Sequence, residues 1–154
     1  MKTIPLGSRR TGRILTTSFT CKLAAGSYRY FVYATDQAGN HQVKVGVNTL
    51  TVSPRVLTSL SAWVSDSTPA QYSDVSAYAK AKDQLGRGIS GVKVVFTWHY
   101  KTISHSITRS TNANGLATDT RYISGASLGY RVVITVTGSY KGVPRSASTG
   151  FTPN

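Results

Sequence analysis

The chain has 154 residues, enough to bury one good core or two small ones, so one or two domains fit. Only 15% of its residues are charged, and all five acids are Asp, which leaves paired-carboxylate catalysis poorly supplied. A formal charge of +13 predicts long-range attraction to a polyanion such as nucleic acid, an acidic glycan or a wall polymer, without specificity for any of them.

Thr, Ser, Val, Tyr and Gly crowd out the helix formers, which is the composition of a β protein. Residues 1–13 are basic and turn-rich with no apolar leader core, and no later run approaches the ~20 apolar residues of a membrane span. No membrane insertion is expected. Ile14 to Cys21 reads as a strand, Leu23 to Gly26 as a turn, and Tyr28 to Thr35 as a strand with Tyr28, Tyr30, Val32 and Ala34 on one face. Asp36-Gln37-Ala38-Gly39-Asn40 has turn chemistry, and Val43 to Val52 closes a hairpin. Ser53-Pro54 breaks the pattern, so the expected division is a partial module over 1–53 and a complete domain over 54–154.

After that boundary strands come at even spacing. Leu57 to Val64 is a candidate strand A, and Asp74 to Lys82 a strand B with Val75, Ala77, Ala79 and Ala81 inward. A Gly-rich turn over 83–91 leads to strand C, Val92 to Tyr100, where Val92, Val94, Phe96, Trp98 and Tyr100 share one face. Two packed sheets leave a slab of about 10 Å, which an inward Trp fills against small Ala residues. Ile103 to Arg109 is strand D, Leu116 to Ile123 strand E, Gly129 to Thr137 strand F and Arg145 to Thr152 strand G. No stretch holds a capped 3.6-residue period, so no helix longer than a turn is expected. If C, F and G share one sheet, Lys93, His99, Lys101, Arg131 and Arg145 fall on or near one outward face, a candidate polyanion patch.

Other constellations point to structure rather than chemistry. Cys21 is the sole cysteine; it forms no internal disulfide and reads as a buried small hydrophobe. Gly125-Ala126-Ser127-Leu128-Gly129 has the spacing of a nucleophile elbow, but a strand follows it and no Asp or His comes after Ser127. His41, His99 and His105 lack metal-ligand spacing, although His99 and His105 flank a turn and can approach across a hairpin. Asp36 and Asn40 offer too few oxygens for calcium and read as an Asx turn. Each Asp is expected near a turn, which disfavours a Lys–Asn cross-link catalysed by a buried acid. No cofactor and no catalytic residue are expected.

Gly26-Ser27-Tyr28-Arg29 lines up with Leu128-Gly129-Tyr130-Arg131, each followed by an apolar run, so both read as the start of a strand F. The two tyrosines, roughly 100 residues apart, are one immunoglobulin-like domain apart and are candidates for a tyrosine corner. Residues 55–154 resemble the bacterial immunoglobulin-like domains of the invasin/intimin type. The likeness is carried by Asp83…Gly86…Ile89-Ser90-Gly91-Val92-Lys93-Val94-Val95-Phe96, by Thr111-Asn112-Ala113-Asn114-Gly115-Leu116-Ala117, and by Gly129-Tyr130. Residues 14–52 look like the last strands of a related module. The resemblance implies an all-β immunoglobulin-like sandwich preceded by a truncated sheet, in a non-catalytic spacer or adhesion piece of a tandem surface protein. Its partners would be neighbouring immunoglobulin-like domains, with self-association through 14–52 and weak polyanion binding as further expectations. An extracellular or cell-surface location follows from the resemblance alone.

Overall fold

The computed structural model describes residues 3–8, 12, 14 and 16–154. The chain divides into two units, Met1–Pro54 and Arg55–Asn154.

Among its described residues the first unit holds one antiparallel ribbon, β1 (Gly26–Val32) with β2 (Gly46–Val52), in register from Gly26↔Val52 to Val32↔Gly46. The strand expected over 14–21 is absent among the described residues, because strand propensity is realised only where a sheet edge accepts the backbone. Cys21 is accordingly exposed rather than buried. β1 stops at Val32, short of Thr35, where the Gln42 side-chain amide takes the Val32 carbonyl at 2.6 Å. The 36–40 turn is closed by Asp36, whose Oδ1 accepts from Ala38 N and Asn40 N and whose Oδ2 accepts from Asn40 Nδ2. The Asn40 side-chain bond leads these in holding the Asp36 carboxyl below its ordinary pKa. With N–H donors on both oxygens, the Asx turn is formed. Tyr28 donates its hydroxyl to Ala24 O, four residues upstream, at 2.9 Å, a tyrosine corner.

The second unit is seven strands in two sheets: β3 (Leu57–Val64), β4 (Asp74–Asp83), β5 (Lys93–His99), β6 (Ser104–Ser110), β7 (Leu116–Tyr122), β8 (Val132–Tyr140) and β9 (Val143–Phe151). One sheet runs β3-β4-β7 and the other β6-β5-β8-β9, every pairing antiparallel. This is an immunoglobulin-like sandwich. Strands C and D form a hairpin: β6 runs beside β5 from Lys93↔Ser110 to His99↔Ser104, in the sheet of strands C, F and G. Its turn is too short to cross between sheets, with Tyr100 N bonded to Ile103 O at 2.9 Å.

Alternation places the core. Val75, Ala77, Ala79 and Ala81 of β4 face Val94, Phe96 and Trp98 of β5 and Val132, Ile134 and Val136 of β8, all fully buried. Trp98 packs edge-on to Phe151 with centroids 6.0 Å apart. β3 and β9 both run from a near end, where Arg55 leads in, to a far end, where Asn154 leaves. Past β3, the chain lies along the end of β9, with Thr152 N donating to Ser67 O at 2.9 Å and Asn154 N to Pro69 O at 3.1 Å.

The near end is a knot of loops. Asn112 Oδ1 accepts from Asn114 N and Leu116 N, while Thr111 Oγ1 donates to Ile89 O and accepts from Val92 N. Gly88 and Gly115 cross so closely that a Cβ on Gly88 would fall on the Asn114 carbonyl. Asp83 takes Arg55 Nε at 2.8 Å on one oxygen and Leu85 N and Arg87 N on the other.

Candidate functional site

Three strand ends and one loop converge at the far end of the sandwich. β5 runs out into Tyr100 and Lys101, β6 begins at Ser104, β7 ends at Tyr122, and the 123–130 segment leads into β8. Between them lies a cleft of about 330 Å³ lined by Tyr100, Lys101, Ile103, His105, Tyr122, Ser124, Ser127 and Tyr130 among others, with no acidic side chain in its wall. Tyr122 and Ile103 are well exposed, and Tyr130 is partly so. Tyr130 was expected to form a tyrosine corner. Its hydroxyl makes no such bond; Gly129 N is tied to Pro153 O at 3.0 Å and the ring faces the cleft instead.

Beneath the cleft is a buried polar cluster. Asp119 is paired with Ala77 across β4 and β7, which puts it on the inward face, only 3% exposed. Its Oδ2 accepts from Trp98 Nε1 at 3.0 Å and from Arg121 Nε at 3.2 Å, and its Oδ1 from Arg109 Nη2 at 2.9 Å. Arg121 lies over the Trp98 ring at 5.7 Å, a cation–π contact. Arg109 comes from edge strand β6 and reaches edge strand β7, so this ion pair closes one open side of the sandwich. Tyr100 stacks on Trp98 and meets His105 edge-on. Burial raises its phenol pKa above the ordinary value; the charge of Arg121 opposes that rise and the charge of Asp119 adds to it.

Asp119 is the residue that sequence reading missed, since it sits mid-strand in the core rather than near a turn. The signal was its parity: Ala117, Asp119 and Arg121 alternate on the inward face of β7, and buried Ile123 just past its end continues the pattern. A carboxylate at a core position calls for buried donors, and Arg109 and Trp98 hold matching inward positions.

The five residues of the expected basic patch do not converge. Lys93 lies at the near end of β5, opposite Ser110 and Ser139. Lys101 and Arg131 lie at the far end, roughly 26 Å away at about 3.3 Å per residue. His99 is outward on β5, its ring nitrogens 3.1 Å from Ser104 Oγ and 3.0 Å from Thr135 Oγ1. Arg145 pairs with the buried Gly138, so it has inward parity, and its Nε donates to Thr58 O at 3.0 Å, tying β9 to β3. His105 faces Trp98 in the ladder while His99 points to the other face, so the two do not approach. Among the described residues no three His, Cys, Asp or Glu side chains gather to hold a metal.

No protein-family model and no curated protein sequence matches the chain. Among solved structures it is similar to the D00–D0 domain of intimin, with a TM-score of 0.44 and 19% identity over 83% of this chain and 65% of that one. It is also similar to a Ca2+-stabilized adhesin described as helping an Antarctic bacterium reach out and bind ice, with a TM-score of 0.41 and 16% identity over 83% of this chain and 32% of that one. The chain thus spans less than two thirds of the length of either.

Proposed function

We propose that Arg55–Asn154 is a non-catalytic spacer or adhesion module of a tandem surface protein, whose task is to hold its neighbours apart under load. The observation that carries this reading is the course of the chain. It enters the sandwich at the near end and leaves at the far end, with first strand β3 and last strand β9 running the same way. Tension applied at Arg55 and Asn154 therefore passes through the long axis of the domain. The bonds from Thr152 N to Ser67 O and from Asn154 N to Pro69 O lie between parallel segments and are loaded in shear, so they must break together. Asp119 spends both oxygens on Trp98, Arg109 and Arg121, which leaves it no free face for acid–base work.

Single-molecule pulling between the termini tests this. A single cooperative rupture of 55–154 is the expected trace. Gradual extension at low force would overturn the spacer reading.

A polyanion-binding role is the second reading, favoured by exposed Lys93, Lys101 and Arg131, none of which has an ion-pair partner among the described residues. Its mark is heparin affinity that falls steeply with salt. Because these cations are scattered, reversing Lys93 and reversing Arg131 should give similar, partial losses.

A further inference from the structure

The cleft at the far end has the chemistry of a small-ligand site, and the spacer role does not use it. Its volume of about 330 Å³ lies within the range that small ligands occupy, roughly 300–1,000 Å³. Its wall mixes three tyrosine rings with Ser124, Ser127 and Thr102 hydroxyls, a pairing of flat apolar faces with short polar groups that suits a sugar ring, whose C–H faces stack and whose hydroxyls need partners. The electrostatics narrow the class. Lys101 stands in the wall without an ion-pair partner among the described residues, no carboxylate lines the cleft, and Asp119 beneath it is already paired with Arg109 and Arg121. A neutral sugar would leave the Lys101 charge unused, whereas a carboxylate would meet an ammonium and no acid in the wall itself.

The floor of the cleft is also held in place before any ligand arrives. Tyr100 is fixed by stacking on Trp98 and by the edge of His105, and Trp98 is fixed by Asp119. The loop opposite is pinned, with Gln71 Nε2 donating to Ala126 O at 2.6 Å and Tyr130 N to Ser127 O at 3.1 Å. Rigid walls lower the ordering cost of binding.

We propose that this cleft binds a carboxylated pyranose, with the ring against Tyr122 and Tyr130 and the carboxylate on Lys101. The proposal stands apart from the spacer reading, since a domain that bears load need not bind sugar.

The test is a two-dimensional amide NMR titration of the full chain with three probes: N-acetylneuraminic acid, glucuronic acid and neutral glucose. Saturable shifts at Lys101, Tyr122, Gly125 and Tyr130 with either acid, and none or roughly tenfold weaker ones with glucose, are expected, since tenfold is the scale of one charge-assisted contact. The two acids separate a sialylated from a uronate-bearing source. Lys101→Ala, a surface change, should weaken the acids about tenfold and leave glucose unchanged, and Tyr122→Ala should weaken all three. Lys93→Ala, at the other end, is the control and should change nothing. Absence of saturable shifts with both acids overturns the proposal, as does an equal loss in Lys93→Ala, which would reduce the effect to diffuse charge.

Discussion

Trp98 donates its indole N–H to Asp119 Oδ2 at 3.0 Å, joining the two sheets through a hydrogen bond in an otherwise apolar core. Two arginines complete the carboxylate, and every buried side-chain polar atom among the described residues has a partner. Removing the carboxylate leaves the buried indole N–H without its acceptor, whereas the Arg109 and Arg121 side chains, 47% and 25% exposed, keep access to water.

Asp119→Ala should therefore cost about 1–3 kcal/mol, and Trp98→Phe about 1–3 kcal/mol beyond its lost volume. Urea denaturation of both single mutants and the double mutant measures the coupling. A double mutant no better than the sum of its parents would mean that the hydrogen bond contributes nothing beyond its surroundings.

At the near end the sequence motif and the packing coincide at Gly88 and Gly115, whose backbones cross with no room for a side chain. Gly88→Ala should destabilise the second unit by at least about 1–3 kcal/mol, the usual cost of overpacking, because backbone rather than a mobile side chain stands in the way. Gly125→Ala, in open space, is the matched control and should shift the urea midpoint little.

Strand C was legible because its alternation is unbroken and its partners are small, so only one face fits a core. The 83–91 and 111–117 segments that carry the family likeness prove to be one interlocked support, with Thr111 Oγ1 bonded to Ile89 O and to Val92 N. What escaped the sequence was set by pairing. Residues 14–21 have strand composition but no ladder to join among the described residues. Asp119 was hidden by the general rule that Asp prefers turns, although its parity with Ala117 placed it in the core. The far-end cleft was beyond reach, since it joins Tyr100 just past β5, Tyr122 at the end of β7 and Tyr130 in the loop before β8.

Asp83 predicts the acid limit of the second unit. Burial pushes its carboxyl up, but hydrogen bonds from Arg55, Arg87 and Leu85 outweigh that and hold it below the ordinary value. A carboxyl with a lowered folded pKa stabilises the fold above its unfolded pKa, about 3.9, and the stabilisation is lost as pH falls through the folded value. The thermal midpoint should drop steeply below about pH 4, and Asp83→Asn should flatten that drop while lowering the plateau above it. An unchanged acid limb in Asp83→Asn would assign the loss to another carboxylate.

The two aligned tyrosines make a paired prediction. Tyr28 donates to Ala24 O, whereas Tyr130 has no such bond. Tyr28→Phe should loosen the first unit by about 0.5–1.5 kcal/mol, read as faster amide exchange over Gly26–Val32, and Tyr130→Phe should leave exchange over β8 as it was. Equal effects at both sites would contradict the difference between them.

The last prediction follows from the ribbon of β1 and β2. Tyr30, Phe31, Val32 and Val47 are each about half exposed (46%, 48%, 49% and 53%), on both faces of a sheet only two strands wide. Such a ribbon is marginal in water, since three or more strands or a covering layer are needed for independent stability. Exposed apolar surface costs about 25 cal/mol per Å², and the unpaired outer edges of β1 and β2 can accept another chain. A second ribbon satisfies both needs at once, by adding strands and covering a face. The full chain should therefore show a weight-average mass that rises with concentration in light scattering, and residues 55–154 alone should stay monomeric. Phe31→Lys places a charge on the ribbon and should return the full chain to a monomer without moving the melting of 55–154. A full chain that stays monomeric at high concentration, with slow amide exchange through Gly26–Val32, would show that the ribbon is stable without a second copy.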